Sequence, residues 1–113
     1  MAYDEAHAQR FRDALRGVKG VSEKPMMGGL CLLVNGNMLG GVDRTKGGTG
    51  RFMFRVGKQN ESKALARPGA SAVEMGGRRI GGFVFVEAEA CTPRALTDWI
   101  ALALGYVQTL PGK

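Results

Sequence analysis

Histidine occurs once in this chain of 113 residues, at position 7, and cysteine twice, at positions 31 and 91. Neither thiol has a second one near it in sequence, which excludes a C-x-x-C redox or zinc motif. The carboxylates are scattered, so no metal-ligand spacing can be assembled, and neither a metal nor another cofactor is expected. Long apolar runs are missing too. The longest, Trp99 to Val107, falls well short of the roughly 18–20 residues that span a bilayer. The first residues, Met1-Ala2-Tyr3-Asp4-Glu5, lack the basic and apolar regions of a signal peptide. The expectation is a cytoplasmic protein with reduced thiols and no membrane partner.

Glycine, by contrast, is abundant: 18 residues in 113. An interior helical glycine costs about 1 kcal/mol relative to alanine, so this content argues against an all-helical fold. The glycines have no period of three, which excludes a collagen-like chain. They suit tight turns and bulges between short strands. At this length one domain, residues 1–113, is the natural count. The net charge of +6 is uneven, since residues 44–79 hold nine basic groups against Glu61 and Glu74. Such an excess is either a solvated surface or an electrostatic footprint for a polyanion.

Periodicity predicts a first helix over Asp4–Arg16, with His7, Phe11, Ala14 and Leu15 on one face and Gly17 as its stop. Short strands follow: Val21–Met27, suited to a sheet edge by Pro25, then Leu30–Val34 and Asn37–Val42 about an Asn35-Gly36 type I′ turn. A glycine-rich loop over Asp43–Gly50 leads to a strand alternating at Phe52, Phe54 and Val56. Asn60 is placed as N-cap of a short helix through Ala66, which Pro68 terminates. Ser71–Met75 and Ile80–Val86 form a second hairpin, joined through Gly76-Gly77-Arg78-Arg79. Thr92-Pro93 opens the last helix, whose stripe Leu96, Trp99, Ile100, Ala103, Val107 and Leu110 is widened by Leu102, Leu104 and Tyr106. That apolar arc is wider than one sheet face needs, so either other elements wrap the helix or a second subunit meets it. The fold class is α+β: a two-layer domain with an antiparallel sheet of about five to six short strands and N-terminal, middle and C-terminal helices.

Several strings in this order resemble the TfoX N-terminal domain family, named for bacterial regulators of competence for DNA uptake. They are Met1-Ala2-Tyr3-Asp4, Glu23-Lys24-Pro25-Met26-Met27-Gly28-Gly29, Val34-Asn35-Gly36-Asn37-Met38, Phe54-Arg55-Val56-Gly57, Arg67-Pro68-Gly69-Ala70, and Gly77-Arg78 ahead of Gly82-Phe83-Val84-Phe85-Val86. Together they cover nearly the whole chain. Two departures stand out: Met26-Met27-Gly28-Gly29 where the family usually has Met-Phe-Gly-Gly, and Arg79-Ile80-Gly81-Gly82 where it has Pro-Met-Lys-Gly. The resemblance implies a stand-alone member with an antiparallel α+β fold and a role in transcription or competence regulation.

Three functional readings follow. The first is a non-enzymatic regulatory or protein-interaction module, self-associating as a homodimer through Trp99, Leu102 and Tyr106 or holding another protein partner. The second is a nucleic-acid-binding accessory that uses Arg44, Lys46, Arg51, Arg55, Arg78 and Arg79. The third is a small enzyme with Cys91 as nucleophile, since a thiol just before a helix N-terminus can have a lowered pKa. Other residues read as structural. His7 fits a core edge, Cys31 strand packing, and Glu87 with Glu89 a solvated strand end. Gly40–Gly50 lacks the order of a phosphate-binding loop. Met26, Met27, Met38 and Met53 fit strand-core packing, with an adaptable binding groove as the alternative.

Overall fold

A computed structural model describes residues 3–26 and 28–113. Helix α1 (Glu5–Ala14) starts where the Asp4 carboxylate accepts the Ala6 N–H at 2.8 Å. Six strands then build one antiparallel sheet: β1 (Val21–Met26), β2 (Gly29–Val34), β3 (Asn37–Arg44), β4 (Gly50–Arg55), β5 (Ala70–Met75) and β6 (Arg78–Glu87). Their order across the sheet is β1-β2-β3-β4-β6-β5. Between β4 and β5 lie a single 3₁₀ turn (Lys58–Asn60) and the short helix α2 (Glu61–Leu65). Helix α3 (Pro93–Val107) closes the chain, capped by the Thr92 hydroxyl, which accepts the Ala95 N–H at 3.1 Å.

The α+β class and the three helix positions are as the periodicity predicts. Asn35 and Gly36 both have positive φ, 52° and 81°, as the type I′ turn requires. Local details differ. Strand β3 runs on through Arg44 and β4 begins at Gly50, so the expected loop shrinks to a turn closed by Thr45 N–H to Thr49 O at 2.9 Å. Arg78 and Arg79 belong to β6 and not to the turn, which is Gly76-Gly77 alone. Asn60 does not cap α2 with its side chain; its amide donates to the Val56 carbonyl at 3.0 Å. Leu110 lies beyond the end of α3. The expected extension of the first strand to Met27 falls outside the described residues.

Alternation decides which face of the sheet meets the helices. Phe52, Phe54 and Val56 point to one side with Val84 and Val86, and all three helices pack on that side. The aromatic centre is compact: Phe54 stacks on Trp99 at 5.5 Å with planes 7° apart, and Phe11 stacks on Phe54 at 5.7 Å. Gly40 belongs to this core because an added Cβ would sit 2.1 Å from the Met53 carbonyl oxygen and 3.2 Å from the Phe11 ring. At the far end, buried Asn37 donates to the Pro111 carbonyl at 2.8 Å, and the Lys113 N–H donates to Asn35 O at 2.8 Å. These two bonds tie the C-terminal residues to the first hairpin. No helix among the described residues is long and apolar enough to cross a membrane.

Candidate functional site

The opposite face of the sheet carries no helix, yet it is not polar. Cys31, Val73 and Phe85 are buried, with Cys31 2% exposed, and none of them belongs to the cluster beneath the helices. Register places Cys31, Gly41, Met53 and Phe85 side by side across four strands on this face. Around them, Met26, Met38, Met53 and Met75 line one hollow of about 70 Å³ with Cys31 and Gly41. Met26 comes from edge strand β1 and Met75 from the opposite edge strand β5, so the sheet must bend to bring them together.

A local cause of the bend is visible in the pairing. Between Ala72 and Val73 the β5–β6 register jumps, from Ala72 opposite Val84 to Val73 opposite Ile80. Gly81, Gly82 and Phe83 thus face a single step of β5, and Gly82 takes φ +84°, a conformation that only glycine adopts freely. The sheet-core role expected for Met38 and Met53 is therefore corrected: they lie on the helix-free face with Met26 and Met75, as the groove alternative has it. Met27, named in the same set, lies outside the described residues.

The chemistry of this face is soft and weakly charged. Methionine thioethers on unbranched, flexible stems repack readily against different apolar partners. Arg51 lies over the Phe85 ring at 3.6 Å and is held in a bidentate pair with Asp43, at 2.8 and 3.2 Å, which neutralises both. Lys24, paired in register with Cys31, has no carboxylate partner among the described residues. Burial pushes the Cys31 thiol above its ordinary pKa, with Lys24 opposing that shift, so the group is a neutral apolar surface at physiological pH.

The six basic residues proposed for a polyanion do not gather into one patch. Arg44 and Lys46 project at the β3–β4 turn, and Arg51 beside them is spent on Asp43. Arg55 stands at the other end of β4, between Phe83 and Tyr106 at 5.8 and 5.7 Å, and donates to Met38 O at 3.4 Å. Arg79 pairs with Glu61 at 2.7 Å, leaving exposed Arg78 next to it. The residues proposed for self-association are divided as well. Trp99 is 3% exposed and sandwiched between Phe54 and the Arg67 guanidinium, 4.8 Å from the ring. Leu102 and Tyr106 are half-buried against the same core, so the wide apolar arc of α3 is largely satisfied within the chain.

Cys91 lacks the environment of a nucleophile. It is buried in the core, and burial raises its pKa; Arg10 opposes this but donates to the Cys91 carbonyl, not to sulfur. His7 lies edge-on to Phe52 with its Nδ1 buried and unbonded, a core-edge position as expected. Glu87 and Glu89 are both exposed. Among the described residues, no group of three or more histidine, cysteine or carboxylate side chains could hold a metal ion. The sequence signal that pointed to the open face was the methionine set. What it lacked was Met75, whose place depends on the bend at Gly82.

Comparison with known proteins adds one match: the family model described as TfoX N-terminal domain fits residues 13–106. No curated protein and no solved structure is similar enough to match.

Proposed function

The chain belongs to the TfoX N-terminal domain family, and from that premise we propose that it is a non-enzymatic interaction module whose helix-free sheet face receives a protein partner. The observation that carries this reading is the methionine-lined hollow spanning both edges of the sheet. A solvated sheet face normally alternates to polar residues. Here it presents Met26, Met38, Met53 and Met75 around buried Cys31, and Val73 and Phe85 are buried as well. Methionine is overused on adaptable docking surfaces because its thioether keeps dispersion contact while the stem changes rotamer. The unpaired cation beside the hollow, Lys24, favours an apolar partner segment flanked by acidic residues. Regulation of transcription or competence is part of the same proposal and rests on the family alone.

The test is a photo-cross-linking residue placed at Met38 in cells. It should give one defined protein adduct, which Met53→Asp abolishes, while the same probe at exposed Ser62 gives none. An adduct that survives Met53→Asp, or the same adduct from Ser62, contradicts the proposal.

A further inference from the structure

At the end of β4 that meets α3, a cleft of about 520 Å³ opens between Arg55, Lys58, Gln59, Phe83 and Tyr106. We propose that this cleft binds a small organic phosphate monoester, with Arg55 and Lys58 on the phosphate and the organic body along Phe83 and Tyr106.

Charge comes first. The lining contains two cationic side chains, Arg55 and Lys58, and no carboxylate. Neither cation forms an ion pair among the described residues. Glu61 lies close to Lys58 without an ion pair to it: its carboxylate accepts the Gly82 N–H at 2.8 Å and the Arg79 guanidinium at 2.7 Å. Those two contacts draw its pKa down from the ordinary carboxyl value, the Gly82 bond acting most strongly, and the Lys58 charge adds to them. Two unpaired cations match a phosphate monoester, which carries about −1.5 to −2 charge near pH 7.

Preorganisation comes second. The Arg55 guanidinium is held between two aromatic rings, 5.8 Å from Phe83 and 5.7 Å from Tyr106, with Nη1 donating to Met38 O. Its Nε and Nη2 donate to nothing among the described residues, leaving the planar fork that pairs two phosphate oxygens. The Lys58 stem runs over Gly81: a Cβ added there would lie 3.5 Å from Lys58 Cε. Lys58 thus spans the position where the family pattern has the lysine that this hairpin lacks.

Space comes third. A volume of about 520 Å³ lies within the roughly 300–1,000 Å³ typical of small-molecule sites and far exceeds one phosphate. Gly57 lets the Tyr106 ring pack against the backbone, since a Cβ there would fall 2.5 Å from the ring, and Tyr106 so placed forms one wall. The basic residues of the β3–β4 turn, Arg44 and Lys46, are not in this lining, which favours a compact ligand over an extended polyanion.

The test is amide NMR on the ¹⁵N-labelled full chain, titrated with a nucleoside monophosphate, inorganic phosphate, acetate and a short single-stranded oligonucleotide. The monophosphate should produce saturable shifts at Lys58, Gly81 and Gly82 with a Kd near or below about 1 mM. Inorganic phosphate should move the same amides at higher concentration, and acetate should barely move them. Arg55→Lys should weaken binding about 10-fold through loss of the bidentate fork. Lys58→Gln, at an exposed position that leaves the core untouched, should weaken it as well. No saturable shift, shifts indifferent to both variants, or tighter oligonucleotide binding centred on Arg44 and Lys46 would each overturn the assignment.

Discussion

Gly57 shows most sharply how single residues constrain this molecule. It takes φ +88°, and the Tyr106 ring lies where a Cβ would stand, 2.5 Å from the nearest ring atom. Gly57→Ala therefore meets two penalties, left-handed backbone strain and overpacking, each of about 1–3 kcal/mol. Urea unfolding should show a destabilisation of about 2–4 kcal/mol at unchanged m-value. In a Tyr106→Ala background the same substitution should cost only the backbone part, a coupling that a double-mutant cycle measures directly. Trp99 gives a second prediction at this scale. Stacked on Phe54 and nearly fully buried, it should cost about 3–5 kcal/mol as Trp99→Ala, whereas half-buried Leu102→Ala should cost clearly less. Equal costs in unfolding titrations would contradict this division of the α3 arc. Both thiols should alkylate far more slowly than a free cysteine until the chain unfolds, because each is buried and its thiolate disfavoured.

At the scale of elements, the edge strand β1 is the least secured part of the sheet, since all six of its residues are exposed. Arg12 of α1 fastens it through a bidentate pair with Glu23, at 2.6 and 3.0 Å, while also holding Glu5. The Arg12 hydrogen bond draws the Glu23 carboxyl below its ordinary value of 4.5, with burial working against it. A lowered folded pKa means that the stabilisation is complete above about 4.5 and is lost as pH falls through the folded value. Amide exchange in β1 should therefore accelerate on acidification relative to β4, beyond the intrinsic pH dependence of exchange. Arg12→Gln should remove that extra acid sensitivity and leave β1 already loosened at neutral pH, and added salt should mimic it in part. The elements themselves were largely legible in the sequence, because alternation at Phe52, Phe54 and Val56 and the Asn35-Gly36 turn are local signals. Asn60 misled because its side chain found a carbonyl behind it, at Val56, in place of the amides ahead. Asn37 gave no warning at all, since its partner Pro111 is 74 residues away.

For the whole molecule, the informative asymmetry is between the two faces of one sheet. The helix-covered face was readable from composition, since apolar stripes on two amphipathic helices need a shared surface. The open face was not, because its character depends on which residues the pleat and the bend at Gly82 send outward. The methionines were visible in the sequence, but their side of the sheet was not. The basic middle third shows the same limit: its nine cations fall within residues 44–79, yet Asp43 and Glu61 neutralise two of the six residues proposed for a polyanion, and Arg44 with Lys46 stands at the opposite end of β4 from Arg55. A protein partner seated on the methionine face, as proposed, would shield its thioethers from oxidant. Oxidative footprinting of the methionines, in intact cells and on the purified chain, tests it most directly. Met38, Met53 and Met75 should oxidise readily in the purified chain, be several-fold protected in cells, and lose that protection at Met38 and Met75 in the Met53→Asp variant. Equal oxidation in cells and in purified protein would contradict the proposal.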